Sequence, residues 1–220
     1  MSGLGVRVLV VAGVVGVGSS ARAADLAAGW SHSAAVQDGR VWTWGDNVWG
    51  QLGQPDAGRS LRPRPVAGVD HAVAVAAAWH TLALTADGVV YAWGRNTFGQ
   101  LGNGRFGLDA KEGVPTRVAG LTDVVAVAAG WDHSLALDRS GTVYAWGDRS
   151  HGQLGDGVRE TGKPVATPRP VPGLSNIVAI AAGGQHSLAL RKDGTLFAWG
   201  SNWNGQLGSG KLGAGSHSAL

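Results

Sequence analysis

Apolar positions along the chain come in short runs broken by glycine, and no long apolar helix survives such frequent interruption. Residues 124 to 147 read VVAVAAGWDHSLALDRSGTVYAWG, in which VVAVAAG, SLALD and TVYAWG are apolar, β-branched or aromatic. Asp-x-Ser-Gly and Lys-Asp-Gly steps between such runs put a glycine where a turn calls for positive φ. The runs therefore predict short β-strands. Both faces of the inner strands are apolar, which predicts sheets covered on both sides rather than a sandwich with one wet face.

The same sequence of runs occurs four times. Residues 26 to 53 read LAAGWSHSAAVQDGRVWTWGDNVWGQLG and residues 75 to 102 read VAAAWHTLALTADGVVYAWGRNTFGQLG. Residues 127 to 155 give VAAGWDHSLALDRSGTVYAWGDRSHGQLG, and residues 180 to 208 give IAAGGQHSLALRKDGTLFAWGSNWNGQLG. The tryptophan of each Trp-Gly step falls at 44, 93, 146 and 199, spacings of 49, 53 and 53. A period near 50 is that of propeller blades and longer than that of helical repeats. Between copies lie Pro-Arg-Pro-Val (63 to 66), Pro-Thr-Arg-Val (115 to 118) and Pro-Arg-Pro-Val (168 to 171). Proline is tolerated only at a sheet edge, so these segments predict the outer strand of a four-stranded blade. The second copy is one residue short and has Ala78 where the others have glycine, which predicts a reshaped first turn. The chain divides into units near 25–70, 71–121, 122–174 and 175–220.

Composition agrees with an all-β fold: 37 Gly and 10 Trp stand against one Met, three Phe and two Tyr. There is no Cys, which excludes disulfides, thiolate catalysis and Cys-based zinc sites. Residues 1 to 23 differ from the rest. They carry Arg7, an apolar run from Val8 to Val17, and Ala21-Arg22-Ala23, a small-x-small step suited to signal peptidase. We read them as a secretory signal, since the run is shorter than the roughly 20 residues that span a bilayer. Residues 24 to 220 then form the mature protein, secreted or periplasmic, with no membrane association after cleavage. Arg7 and Arg22 account for two of the 18 basic residues, which leaves 16 against 15 acids. The only dense basic group is Arg59, Arg62 and Arg64, so nucleic acid is not the expected partner.

The string Val-Ala-Ala-Gly-x-x-His-Ser-Leu-Ala-Leu at 127 to 137, together with Trp-Gly and Gly-Gln-Leu-Gly, resembles the repeat of the regulator of chromosome condensation family, over essentially residues 25 to 220. The resemblance implies a β-propeller used as a platform for protein partners, commonly of seven blades. Members include a nuclear exchange factor for a small GTPase that also binds chromatin, a plant ultraviolet photoreceptor, and a secreted bacterial inhibitor of β-lactamases. Four units are fewer than a seven-bladed ring wants, so the expectation is an open or partial ring of about four blades, with Gly215 to Leu220 as the start of a truncated fifth repeat. Closure as a small four-bladed ring is the competing reading. Open blade edges predict self-association.

His32, His80, His133 and His186 occur once per unit, and we read them as histidines bonded to backbone at a turn rather than as metal ligands, because no carboxylate accompanies each at ligand spacing. Ser33, Ser134 and Ser187 follow a histidine directly, but neighbours on a strand point to opposite faces and form no nucleophile and base. Asp38, Asp87 and Asp193 sit in Asp-Gly turns. GQLGNGRFG at 99 to 107 lacks the Gly-Lys-Ser/Thr ending of a phosphate loop. Leu52, Leu101, Leu154 and Leu207 instead read as inward anchors. Trp30, Trp79 and Trp131 read as packing between blades. No cofactor is expected.

Function is expected in what differs between copies. Before Gly-Gln-Leu-Gly the units carry Trp49, Phe98, His151 and Asn204, and one place earlier Val48, Thr97, Ser150 and Trp203. After Trp-Gly stand Asp46, Arg95, Asp148 and Ser201. Aromatic and Arg anchors dominate interface energetics, so the candidate protein-binding residues are Trp49, Arg95, Phe98, Asp148, His151, Trp203 and Asn204. The leading reading is a secreted, non-enzymatic scaffold that binds a protein through loops on one face. An intracellular regulator or exchange factor for a small GTPase, and an enzyme with a composite loop site, remain the alternatives.

Overall fold

The computed structural model describes residues 25–56, 58–158, 163–210 and 212, and the backbone of 218 and 219. The expected signal, residues 1 to 23, lies outside the described residues. All regular structure among those residues is β. The first sheet holds β1 (Leu26–Ala28), β2 (His32–Gln37), β3 (Arg40–Gly45) and β4 (Ser60–Pro65). The second holds β5 (Ala72–Ala77), β6 (His80–Thr85), β7 (Val90–Arg95) and β8 (Lys111–Arg117). The third holds β9 (Val124–Ala129), β10 (His133–Asp138), β11 (Val143–Gly147) and β12 (Val165–Pro170). The fourth holds β13 (Ile177–Ala182), β14 (His186–Arg191), β15 (Leu196–Gly200) and β16 (Ser218–Ala219).

In every sheet the four strands pair antiparallel in chain order. The first strands β1, β5, β9 and β13 pack side by side, and the proline-bearing β4, β8 and β12 form the outer edges. This is a β-propeller of four blades whose ring is not closed. Contacts run from first blade to second, second to third and third to fourth, with none of comparable extent between fourth and first among the described residues. The segment expected to begin a fifth repeat does something else. Ser218 and Ala219 pair with Ala198 and Phe197 as the outer strand of the fourth blade. The free edge of β15 offers unpaired backbone groups, and two extended residues suffice to take them up.

The core lies between blades. Alternate residues of each second strand face opposite neighbours. Leu82 and Leu84 of β6 share a buried cluster with Ala136 and Trp146 of the third blade, and Leu135 and Leu137 of β10 share the next with Ala189 and Trp199 of the fourth. Ala34 and Val36 of β2 meet Ala83 and Trp93. Each leucine so buried contributes about 1.5–3 kcal/mol.

A repeated hydrogen-bonded latch fixes how the blades meet. The histidine opening β2, β6 or β10 reaches a hydroxyl on the next blade: His32 Nε2 to Thr81 at 2.8 Å, His80 to Ser134 at 2.7 Å, and His133 to Ser187 at 2.9 Å. Each hydroxyl donates to the main-chain carbonyl of the glutamine in the preceding blade's Gly-Gln-Leu-Gly, namely Gln51, Gln100 or Gln153. The same carbonyl accepts the indole N–H of Trp93, Trp146 or Trp199 at 2.8–2.9 Å. A hydroxyl that donates its proton must accept from the histidine, so Nε2 carries hydrogen, and burial keeps the ring neutral. These histidines bond a neighbouring blade's hydroxyl rather than backbone, because β-strand alternation turns the ring toward the junction.

Two glycines of the repeat are sterically required, the second of them in every copy but the second. The Trp-Gly glycines have φ from 106° to 112°, and a Cβ at Gly45 would stand 2.5 Å from the Ser31 carbonyl oxygen. A Cβ at Gly29, Gly130 or Gly183 would collide with its own unit's histidine ring, at 2.5, 2.1 and 2.0 Å. Ala78 stands where the second unit lacks that glycine, and its N–H bonds the carbonyl two residues on, at His80, instead of three residues on as Gly29 does to His32. Shortening the turn by one residue makes room for the methyl group.

Burial pulls His32 from its ordinary 6.5 to about 4, His80 to about 3 and His133 to about 4. Their Nδ1 atoms are buried without a protein partner among the described residues. Between 6.5 and those values the unfolded chain binds more protons than the folded one, so stability rises with pH across that window and is lost on acidification. The unfolding free energy from urea titration is expected to fall between about pH 7 and about pH 5, its slope approaching about 1.4 kcal/mol per pH unit for each histidine below 6.5. His80→Gln should remove one histidine's share, and an unchanged slope in that variant would contradict the assignment.

Candidate functional site

Hairpin register decides which loops share a face. His32 pairs with Gly45, and His80, His133 and His186 pair with Gly94, Gly147 and Gly200. The turn before each second strand therefore emerges at the same end of its blade as the loop after each Trp-Gly step. Residues following Ala-Ala-Gly and residues before Gly-Gln-Leu-Gly come from different parts of a unit and populate one face.

On that face the first three blades bring their turn tryptophans together. Trp30 stacks on Trp79 with ring centroids 5.1 Å apart and an interplanar angle of 23°, and meets Trp131 edge-on at 5.9 Å and 88°. These rings do pack across blades, yet Trp30 is 62% exposed and Trp131 44% exposed. Gly184 lies against the Trp131 ring, and its carbonyl accepts the Trp131 main-chain N–H. Trp30 and Trp131 also line an open pocket of about 280 Å³, together with the ends of the four first strands at Ala28, Ala77, Ala129 and Ala182.

Arg95 joins this cluster to the loops. Its guanidinium lies 5.2 Å from the Trp49 ring centroid, 5.7 Å from that of Trp79 and 5.9 Å from that of Phe98. It pairs with Asp132 at 3.2 Å, and Gln100 donates to the same carboxylate oxygen at 2.9 Å. Asp132 is pushed above the usual carboxylate range, first by burial and also by nearby Asp148, while Arg95 and Gln100 pull it down. A partly buried cation against three aromatic faces and one carboxylate is a preorganised anchor, worth more here than in open water.

Of the candidate residues, the structure brings Trp49, Arg95 and Phe98 into one cluster. Asp148 lies close enough to act on Asp132, but it is largely buried and its carboxylate accepts from Ser150 and Gln153 at 2.7 Å each, holding its own loop. His151 is half-buried and bonds Ser150 through Nδ1 at 2.8 Å. Trp203, 60% exposed, and exposed Asn204 stand on the corresponding fourth-blade loop, with no ring contact to the cluster among the described residues. Sequence reasoning missed Asp132 and assigned Trp30, Trp79 and Trp131 to packing alone. The available signal was the hairpin register, which places both sets of residues at one end of the blade.

The glutamine of Gly-Gln-Leu-Gly is a loop organiser. Its Oε1 accepts the N–H of Trp49, Phe98, His151 or Asn204 at 2.8–2.9 Å, which fixes the backbone from which each variable side chain projects. Leu52, Leu101, Leu154 and Leu207 are buried beneath. The cross-blade pair of His80 and Ser134 has the spacing of a base and nucleophile, but both are fully buried and the hydroxyl proton is committed to Gln100. No substrate reaches it.

Comparison with known proteins agrees with this architecture. The RCC1-like domain family matches residues 8–218. The human E3 ubiquitin-protein ligase HERC2 is 38% identical over 197 residues, covering 86% of this chain and 4% of that protein. The Ultraviolet-B receptor UVR8 of Arabidopsis thaliana is 39% identical over 208 residues, covering 86% of this chain and 44% of that protein. The crystal structure of Prp20p from Saccharomyces cerevisiae, described with its binding to Gsp1p and histones, superposes with a TM-score of 0.79 at 29% identity, over 89% of this chain and 49% of that one. The chain thus spans half or less of the length of each of these proteins.

Replacing Arg95 by Met should raise the Asp132 pKa further, because the largest opposing charge is gone while burial remains. Carboxyl carbon NMR titration reads this directly. An Asp132 midpoint unmoved by Arg95→Met would show that the ion pair is not formed.

Proposed function

The chain belongs to the RCC1-like domain family, and from that membership we propose that it is a non-enzymatic platform that binds a protein through the tryptophan-bearing face. The observation that carries the reading is the cluster of exposed Trp30 and Trp131 with half-buried Trp79, contributed by three blades and continuous with Arg95, Trp49 and Phe98. Tryptophan and arginine on rigid supports are the residue types that dominate binding hot spots, and preorganisation lowers the entropy lost on association. The Arg95–Asp132 pair adds one defined charge pattern in an otherwise apolar patch, which suits a partner with an aromatic or aliphatic anchor and a rim of polar groups. That Prp20p is described as binding Gsp1p and histones supports a protein partner. The signal-like residues 1 to 23 support an exported protein, and a mature N-terminus at Ala24 is the expected result of N-terminal sequencing.

Affinity capture with the purified protein, followed by titration of the retained partner, tests the face. Trp30→Ala with Trp131→Ala should weaken binding about thirtyfold or more and leave the thermal transition nearly unchanged, since both rings are substantially exposed. Trp203→Ala, on the fourth blade, serves as the comparison. Binding unaffected by the double substitution would refute this face.

A further inference from the structure

The junction between the second and third blades differs from its neighbours on the tryptophan-bearing face. In the first and third blades an aspartate follows the Trp-Gly step and accepts the side-chain amide of its own loop's glutamine, Gln51 to Asp46 at 3.1 Å and Gln153 to Asp148 at 2.7 Å. The second blade has Arg95 at that place, so Gln100 turns to Asp132 of the next blade. Gln100 and Arg95 both approach Asp132 through Oδ1, while Oδ2 makes no hydrogen bond among the described residues. The Asp132 side chain is 20% exposed, and its unbonded oxygen is not sealed from water.

Charge at this junction does not balance. Among the described residues Arg95 is the cation paired with Asp132, and Asp148, which acts on Asp132, has no ion pair of its own. Asp148 accepts from Ser150 and Gln153, and the neighbouring Arg149 is spent on Asp156. Two carboxylates thus share one guanidinium, and burial leaves Asp132 above the usual carboxylate range in spite of Arg95. A second positive charge would balance them.

The rings beside Asp132 suit the same ligand. Trp131 precedes it in sequence and meets Trp30 edge-on, and both indoles are exposed. Arg95 already lies against Trp49 and Trp79, so the chain itself shows how a guanidinium sits on this face. An exposed indole attracts a cation, and arginine combines stacking on a ring with a planar hydrogen bond to a carboxylate.

We infer that the protein partner presents an arginine to this face, its guanidinium against the exposed indoles of Trp30 and Trp131 and hydrogen-bonded to Asp132 Oδ2. This rests on the reading of that face as the binding surface, and it names the chemistry of the group bound there. Asp132 sits at a junction with a further blade on either side, so its surroundings come from this chain. Charge complementarity of this kind selects among partners.

Titration of an acetylated and amidated tetra-arginine peptide, followed through the indole N–H signals, tests the assignment, with tetralysine and tetraglutamate peptides in parallel. The chain's formal charge of +3 favours the anionic peptide, so a preference for arginine has to arise locally. Tetra-arginine should bind about tenfold more tightly than tetraglutamate or better, and shift the Trp30 and Trp131 signals. Asp132→Asn, which keeps an acceptor for Gln100, should weaken it about tenfold or more. Trp131→Ala should leave the thermal transition nearly unchanged and remove most of the preference for arginine over lysine. Tighter binding of tetraglutamate, a tetra-arginine affinity indifferent to both substitutions, or shifts confined to other tryptophans would overturn the inference. A captured partner that needs Trp30 and Trp131 but ignores Asp132→Asn would also overturn it and leave the face standing, whereas a partner that ignores the tryptophans refutes the face itself.

Discussion

The carbonyl of the glutamine in Gly-Gln-Leu-Gly is the point on which the rest of the molecule hangs. It accepts a hydroxyl and an indole N–H from the next blade, and the hydroxyl in turn accepts the leading blade's histidine. Four residues far apart in sequence are thereby fixed at each junction with every donor spent. Hydrogen bonds in such a dry site contribute modestly when made and cost heavily when one partner is lost. Apolar contact between Leu82, Leu84 and Trp146, or Leu135, Leu137 and Trp199, supplies most of the attraction. The latch sets the angle and register at which those surfaces meet.

From that constraint the candidate site follows. A glutamine whose main-chain carbonyl is held at the junction and whose side chain accepts the N–H of the residue two places earlier sets Trp49 and Phe98 on a rigid backbone. The same junction brings the turn of one blade against the turn of the next, so Trp30 stacks on Trp79 without a loop of its own to position it. Arg95 sits where the two sets meet, and Gln100, whose carbonyl closes a latch, also donates to the Asp132 carboxylate that pairs with Arg95. The blade junctions and the candidate surface thus share residues such as Gln100.

The fold was largely legible in the sequence because its causes are local and repeated. A period near 50, strand-length apolar runs, edge prolines and glycines at fixed offsets state a blade four times over. The open ring also followed from the unit count, and Ala78 announced its shortened turn. What did not read out was tertiary. The histidines' partners lie 49 to 54 residues away on another blade, and nothing near His80 in sequence points to Ser134. Asp148 looked like a variable loop acid, yet it accepts from its own loop's Ser150 and Gln153. Trp30, Trp79 and Trp131 read as packing because an indole after a small-residue turn carries no sign of how much of it stays in water. Ser218 and Ala219 resembled a new repeat, but an available strand edge decided their place.

The latch itself is tested most directly by the protonation of its histidines. Nitrogen-15 NMR at about pH 5 should find His32, His80 and His133 neutral and protonated on Nε2, although an ordinary histidine is mostly charged there. Nδ1-protonated or cationic rings at these three positions would contradict the account, since neither state is compatible with a hydroxyl that has already given its proton to the glutamine carbonyl and a ring buried at the blade junction.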